Sequence, residues 1–161
     1  TMTLQRLLLV SCIALSPVVG CKPCDDGCRE FVELQFLAMG ADGAFASPSY
    51  DIRLSSPDAS AACAVEVATA PGDAIECSGD AEAYIDDGVA GGSDSGGEPA
   101  DGRTRIIVRW HVAPDSFALT VRNAESSLVL DNTLTPAWQE QDVEACDGEC
   151  RSFVREVSIG G

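Results

Sequence analysis

Apolar and polar residues alternate with a period of two along most of the chain. Val32, Leu34 and Phe36 are interleaved with Glu33 and Gln35, and Tyr50, Ile52 and Leu54 with Asp51 and Arg53. In TRIIVRWHV, Ile106, Val108, Trp110 and Val112 share one face, while Arg105, Arg109 and His111 share the other. Phe117, Leu119 and Val121 continue the pattern, as do Leu128 and Leu130. No stretch keeps helical spacing over three turns. Successive side chains of a strand point to opposite faces, so this period predicts half-buried strands. Pro, Gly, Asn and Asp separate the runs, as short strands joined by turns require. The expected fold is all-β: a single antiparallel β-sandwich, immunoglobulin-like or transthyretin-like.

One hairpin can be set in register. Cys63, Val65 and Val67 fall on one face of a run, and Ile75 and Cys77 on one face of the next. Folding about Ala70 places Cys63 opposite Cys77 and Val65 opposite Ile75, with TAPGD supplying turn residues. Directly opposed cysteines lie within the usual disulfide reach of about 5.5 Å between Cα atoms. A Cys63–Cys77 bridge is therefore expected. Residues 86–103, DDGVAGGSDSGGEPADGR, hold almost nothing apolar and predict a long acidic surface loop.

The first twenty residues follow a different pattern. Arg6 precedes an apolar run from Leu7 to Leu15, which Pro17 ends. A run of about nine residues is too short for a bilayer, which needs roughly 20, but it suits an export signal. Val18-Val19-Gly20-Cys21 resembles the lipobox of bacterial lipoproteins. The resemblance implies cleavage after Gly20, a signal peptide over residues 1–20 and a mature domain over 21–161. It also implies thioether and amide acylation of Cys21, with palmitate-type chains inserted in the lipid bilayer. Lys22, rather than Asp, follows the anchor, which by the sorting rule of such lipoproteins implies the outer membrane. Cysteine count agrees. Of eight cysteines, Cys12 leaves with the signal and Cys21 takes lipid. That leaves an even set: Cys24, Cys28, Cys63, Cys77, Cys146 and Cys150.

Four of these belong to a near repeat, CDDGCREFV at 24–32 and CDGECRSFV at 146–154. Each copy precedes a strand-like segment, and the two segments are expected to be the first and last strands. In RSFVREVSI the alternation breaks after Phe153 and Val154, suggesting a bulge near Arg155–Glu156. Three arrangements of the four thiols remain open: local bridges Cys24–Cys28 and Cys146–Cys150, crossed bridges between the copies, and a four-thiolate zinc site. Export favours disulfides. The second cysteine turn and the surrounding pattern are similar to small cysteine-stapled β-sandwich lipoproteins of GC-rich bacteria, a resemblance that implies an envelope location and no particular activity.

Charge narrows the partners. The net charge is −16, and removing Arg6 with the leader makes it more negative still. Such a chain is repelled by nucleic acid, so no nucleic-acid partner is expected. Asp86, Asp87, Asp94, Glu98 and Asp101 are the candidate calcium ligands, since calcium takes flexible oxygen donors, but their order does not match the twelve-residue calcium loop and a solvated acidic loop is the simpler reading. Trp138 is a candidate sugar-stacking platform or a core-closing residue. His111, the only histidine, has no nucleophile-elbow serine to serve. No catalytic residue and no cofactor is expected. The expected role is a membrane-anchored, non-catalytic structural or interaction module, with an envelope protein or glycan as partner. A calcium- or carbohydrate-binding module is the alternative.

Overall fold

Each alternating run becomes a strand, and Val32, Leu34 and Phe36 show how: all three are fully buried on one face of the first. The computed structural model describes residues 30–40, 42–88, 102–141 and 150–160. Among them are ten strands and no helix. In chain order these are β1 (Phe31–Ala38), β2 (Ser49–Ser55), β3 (Ser60–Glu66), β4 (Ile75–Ser78) and β5 (Ala81–Asp86). There follow β6 (Arg105–Trp110), β7 (Phe117–Asn123), β8 (Leu128–Leu134), β9 (Gln139–Gln141) and β10 (Cys150–Ile159). β5 and β9 are short or weakly apolar, so periodicity did not single them out.

The strands form one sheet in the order β8-β7-β2-β3-β4-β5-β6-β1-β10-β9. Two stacked sheets were expected. Instead the order passes without a break through β4, which hands the sheet around a corner. Ile75 and Glu76 pair with Ala83 and Glu82 of β5, while Cys77 and Ser78 pair with Cys63 and Ala62 of β3. The expected register holds at the cysteines, but the ladder stops before Val65 and Ile75. Gly79 opens the two-residue turn into β5 at φ 75. There a Cβ would run into the Ser60 carbonyl, so glycine is required on both counts.

The sheet is also mixed, which corrects the antiparallel expectation. β1 lies between β6, antiparallel, and β10, parallel. A parallel pair needs a long connection, and here nearly the whole domain supplies it. Eight consecutive partners run from Phe31↔Ser152 to Ala38↔Ile159 without a shift. No bulge occurs at Arg155–Glu156. Phe153, Arg155, Val157 and Ile159 simply share the inner face, with the arginine in an apolar phase. The bulge among the described ladders falls instead between β7 and β8, at Val121/Arg122.

One core fills the curled sheet, drawing on all strands from β1 to β3, on β5 to β8 and on β10. Trp110 lies edge-on to Phe117, ring centres 5.8 Å apart. The buried Tyr50 hydroxyl accepts a hydrogen bond from the Ser47 amide at 3.1 Å. The curl brings β8 and β10 to the two sides of a common cavity, so the sheet is nearly closed into a barrel.

Candidate functional site

The seam between β8 and β10 is where the barrel fails to close. Leu119, Leu130, Asn132 and Leu134 form one wall, and Arg155, Glu156, Val157 and Ser158 the other, around about 200 Å³. Small-molecule sites usually enclose about 300–1,000 Å³. This is a shallow groove rather than a ligand chamber. Register assigns the faces. Leu130, Asn132 and Leu134 continue the inner face set by Val121, Leu119 and Phe117, and Arg155 lies inward beside Leu34. Two polar groups, Asn132 and Arg155, therefore stand on an otherwise apolar inner surface. Both are exposed through the gap. Neither makes a hydrogen bond or ion pair among the described residues.

Backbone edges frame the same groove. β8 is the end of the sheet order, and β9 covers β10 only at Cys150, Arg151 and Ser152. From Phe153 onward one edge of β10 has no strand neighbour among the described residues.

A second polar cluster lies on the outer face of β1, β5 and β6. Glu33, only 9% exposed, accepts two bonds from Arg109 at 2.7 and 3.2 Å and one from Gln35 at 2.8 Å. Arg109 reaches Glu82 at 3.3 Å and stacks over Phe31, 5.1 Å from the ring centre. Burial opposes the Arg109 charge, but the hydrogen bond and charge of Glu33 outweigh it, and its pKa is raised. Burial, reinforced by the Glu33 charge, likewise raises the Tyr84 phenol. His111 Nε2 lies 3.6 Å from Glu82, while its Nδ1 is buried without a partner. The described bonds give His111 no serine to deprotonate. Every charge here is matched to a neighbour, and the cluster ties three strands together.

The other anticipated residues are placed as follows. Cys63 and Cys77 form a disulfide with Cα atoms 4.3 Å apart. Asp86 pairs with Arg105 at 3.8 Å and accepts from the Gly88 amide at 3.1 Å. Asp87 is also engaged. Asp94, Glu98 and Asp101 lie outside the described residues, as do Cys21, Cys24, Cys28 and Cys146; Cys150 opens β10. Among the described residues no three metal-ligating side chains gather. Trp138 packs edge-on to Phe153 at 6.4 Å and carries the Arg151 guanidinium 5.4 Å from its ring centre. Arg151 also donates to Glu30 at 2.6 Å, tying the start of β10 to that of β1.

Sequence reasoning missed Asn132, Arg155 and the Glu33–Arg109 pair. The signal for Arg155 was present, since it sits at two-residue spacing from Phe153 and Val157. No family model, curated protein or solved structure matches the chain.

Proposed function

We propose that the protein is a lipid-anchored, non-catalytic interaction module of the cell envelope, held in the outer membrane by acyl chains on Cys21. The observation that carries this reading is the apolar run Leu7–Leu15 followed by Val18-Val19-Gly20-Cys21. The Cys63–Cys77 disulfide supports it, because such bridges persist in oxidising compartments. The remaining cysteines, Cys24, Cys28, Cys146 and Cys150, are an even set, for which an oxidising compartment favours local or crossed bridges over a zinc site. Each buried methylene contributes about 0.8 kcal/mol, so two or more chains hold the domain stably where one does not. Only Lys22 and Pro23 separate the anchor from Cys24.

Intact-mass analysis of the native protein tests the reading. The expected species begins at Cys21 and carries the added mass of acyl chains, and Cys21→Ala loses both the acylation and partition into detergent. An unmodified Cys21 in native protein overturns it.

A further inference from the structure

We propose that the seam between β8 and β10 binds an extended peptide segment of a partner protein, inserted as an additional strand, with an inward-facing Asp or Glu side chain held by Arg155 and Asn132. This deepens the interaction-module reading and rests on it.

The seam is open for a physical reason. Counting around the sheet from β10, through parallel β1 and then alternating antiparallel neighbours, β8 runs opposite to β10. The two edges have the right polarity to pair with each other. Direct closure would bury the Arg155 guanidinium on an apolar wall with no anion to neutralise it, the Asn132 amide offering at most an uncharged acceptor. Burying an unpaired charge costs several kcal/mol, more than a few edge hydrogen bonds return. An inward-pointing charge is also a recognised guard against indiscriminate edge pairing. The guard is selective, because one strand chemistry removes the penalty. A carboxylate entering the groove gives Arg155 a planar, two-pronged acceptor and gives the Asn132 amide a second one.

The remaining features specify the same occupant. Residues two positions either side of that carboxylate would meet Leu130, Leu134 and Val157, so they should be apolar. Outward positions would pass Glu156 and favour a cation or a hydroxyl. Backbone groups of the segment would pair with the free edges of β8 and β10, the mode in which main-chain bonds supply affinity and alternate side chains supply selectivity. The volume suits side chains of a strand better than a free small molecule. The chain's overall negative charge repels an acidic segment at long range, but the Debye length at physiological salt is only about 8 Å. At contact, Arg155 dominates.

The test uses the native, acylated protein purified from membranes in detergent. Fluorescent peptides of about seven residues match β8 in length. They carry valine at inward positions, threonine and lysine at outward ones, and Glu, Gln or Lys at the central inward position. Anisotropy titration should show the Glu peptide binding at least about tenfold more tightly than the other two, a difference of about 1.4 kcal/mol. Arg155→Gln should abolish that preference, and Arg155→Glu should transfer it to the Lys peptide. Amide exchange should slow over residues 128–134 and 153–159 when the Glu peptide is bound. If Arg155→Glu fails to fold, the Gln variant and the exchange map decide the matter. Equal affinity for the three peptides, protection elsewhere in the sheet, or dimerisation of the chain through these edges would each overturn the proposal. The mass of Cys21 is read independently, so a failed titration on acylated protein sinks the peptide site and leaves the anchor standing.

Discussion

Glu33 is a carboxylate buried on the outer face of a central strand, and its tolerance there depends on Arg109. Removing one partner of a buried pair leaves an uncompensated charge, whereas replacing both by apolar residues of similar volume is close to neutral. Arg109→Ala should therefore cost about 3 kcal/mol, while the double change Arg109→Met with Glu33→Leu should recover most of it. Urea denaturation of the two single variants and the double one measures the coupling. The exposed Arg53–Asp51 pair, 2.7 Å apart, offers a contrast. It links neighbours on one solvated strand face, and Arg53→Ala should leave the denaturation midpoint unchanged. Tyr84 contributes to the alkaline limb. Its neutral form is favoured in the fold, so its contribution is complete below the ordinary phenol value of about 10 and is lost as pH rises through the higher folded value. Tyr84→Phe should flatten the fall of the midpoint in that window, and tyrosinate absorbance should show the wild-type transition delayed. None of these pairings could be read from the chain, because alternation assigns a residue to a face but not to a cross-strand neighbour.

At the level of elements, the strands themselves were legible and their partners only partly so. The β3–β4 register followed from two cysteines and a turn, and the disulfide sits where opposed inner-face positions put it. Its loss, through Cys63→Ala with Cys77→Ala, should lower stability by about 3 kcal/mol, the chain-entropy value for a loop of roughly 15 residues. For a domain of this size that is on the order of 10 °C in the unfolding midpoint by calorimetry. A change of less than about 1 kcal/mol would mean that the corner at β4 holds the hairpin without the bridge. The near repeat misled in an instructive way. Its two copies align Phe31 with Phe153, but the sheet pairs Phe153 with Val32. A one-residue offset reverses every face. Phe31 therefore points outward beneath Arg109, while Phe153 enters the core beside Trp138. The break in apolar alternation after Phe153 and Val154 points to a bulge near Arg155–Glu156, whereas the unshifted register puts Arg155 itself in the inward phase. An open seam is the other solution.

For the molecule as a whole, an all-β fold follows from periodicity, since no other backbone buries every second residue. The continuous, mixed sheet does not. Alternation is indifferent to strand direction, and a parallel pair of first and last strands looks the same in sequence as an antiparallel one. Acidity was legible but says only what the surface avoids. The proposed peptide site, by contrast, depends on one positive residue at a gap that forms only after the sheet has curled.

The parallel pairing of β1 with β10 also sets a timetable. β1 occupies an interior place in the sheet, yet one of its neighbours is a strand about 120 residues later. If the chain is exported as proposed, threaded N-terminal end first, that neighbour has not yet emerged and one edge of β1 stays unsatisfied. Contacts so distant along the chain must await closure of a very long loop, and such topologies fold slowly. The sheet around β1 is therefore completed only once β10 is available, which on the proposed export route would leave the chain threadable until then. A chain stopped before Cys150 should remain open, with fast amide exchange across residues 31–38. The complete chain should protect those same amides in the slowest kinetic phase. Protection of β1 ahead of β10 in pulse-labelled exchange would show that the sheet is built in another order.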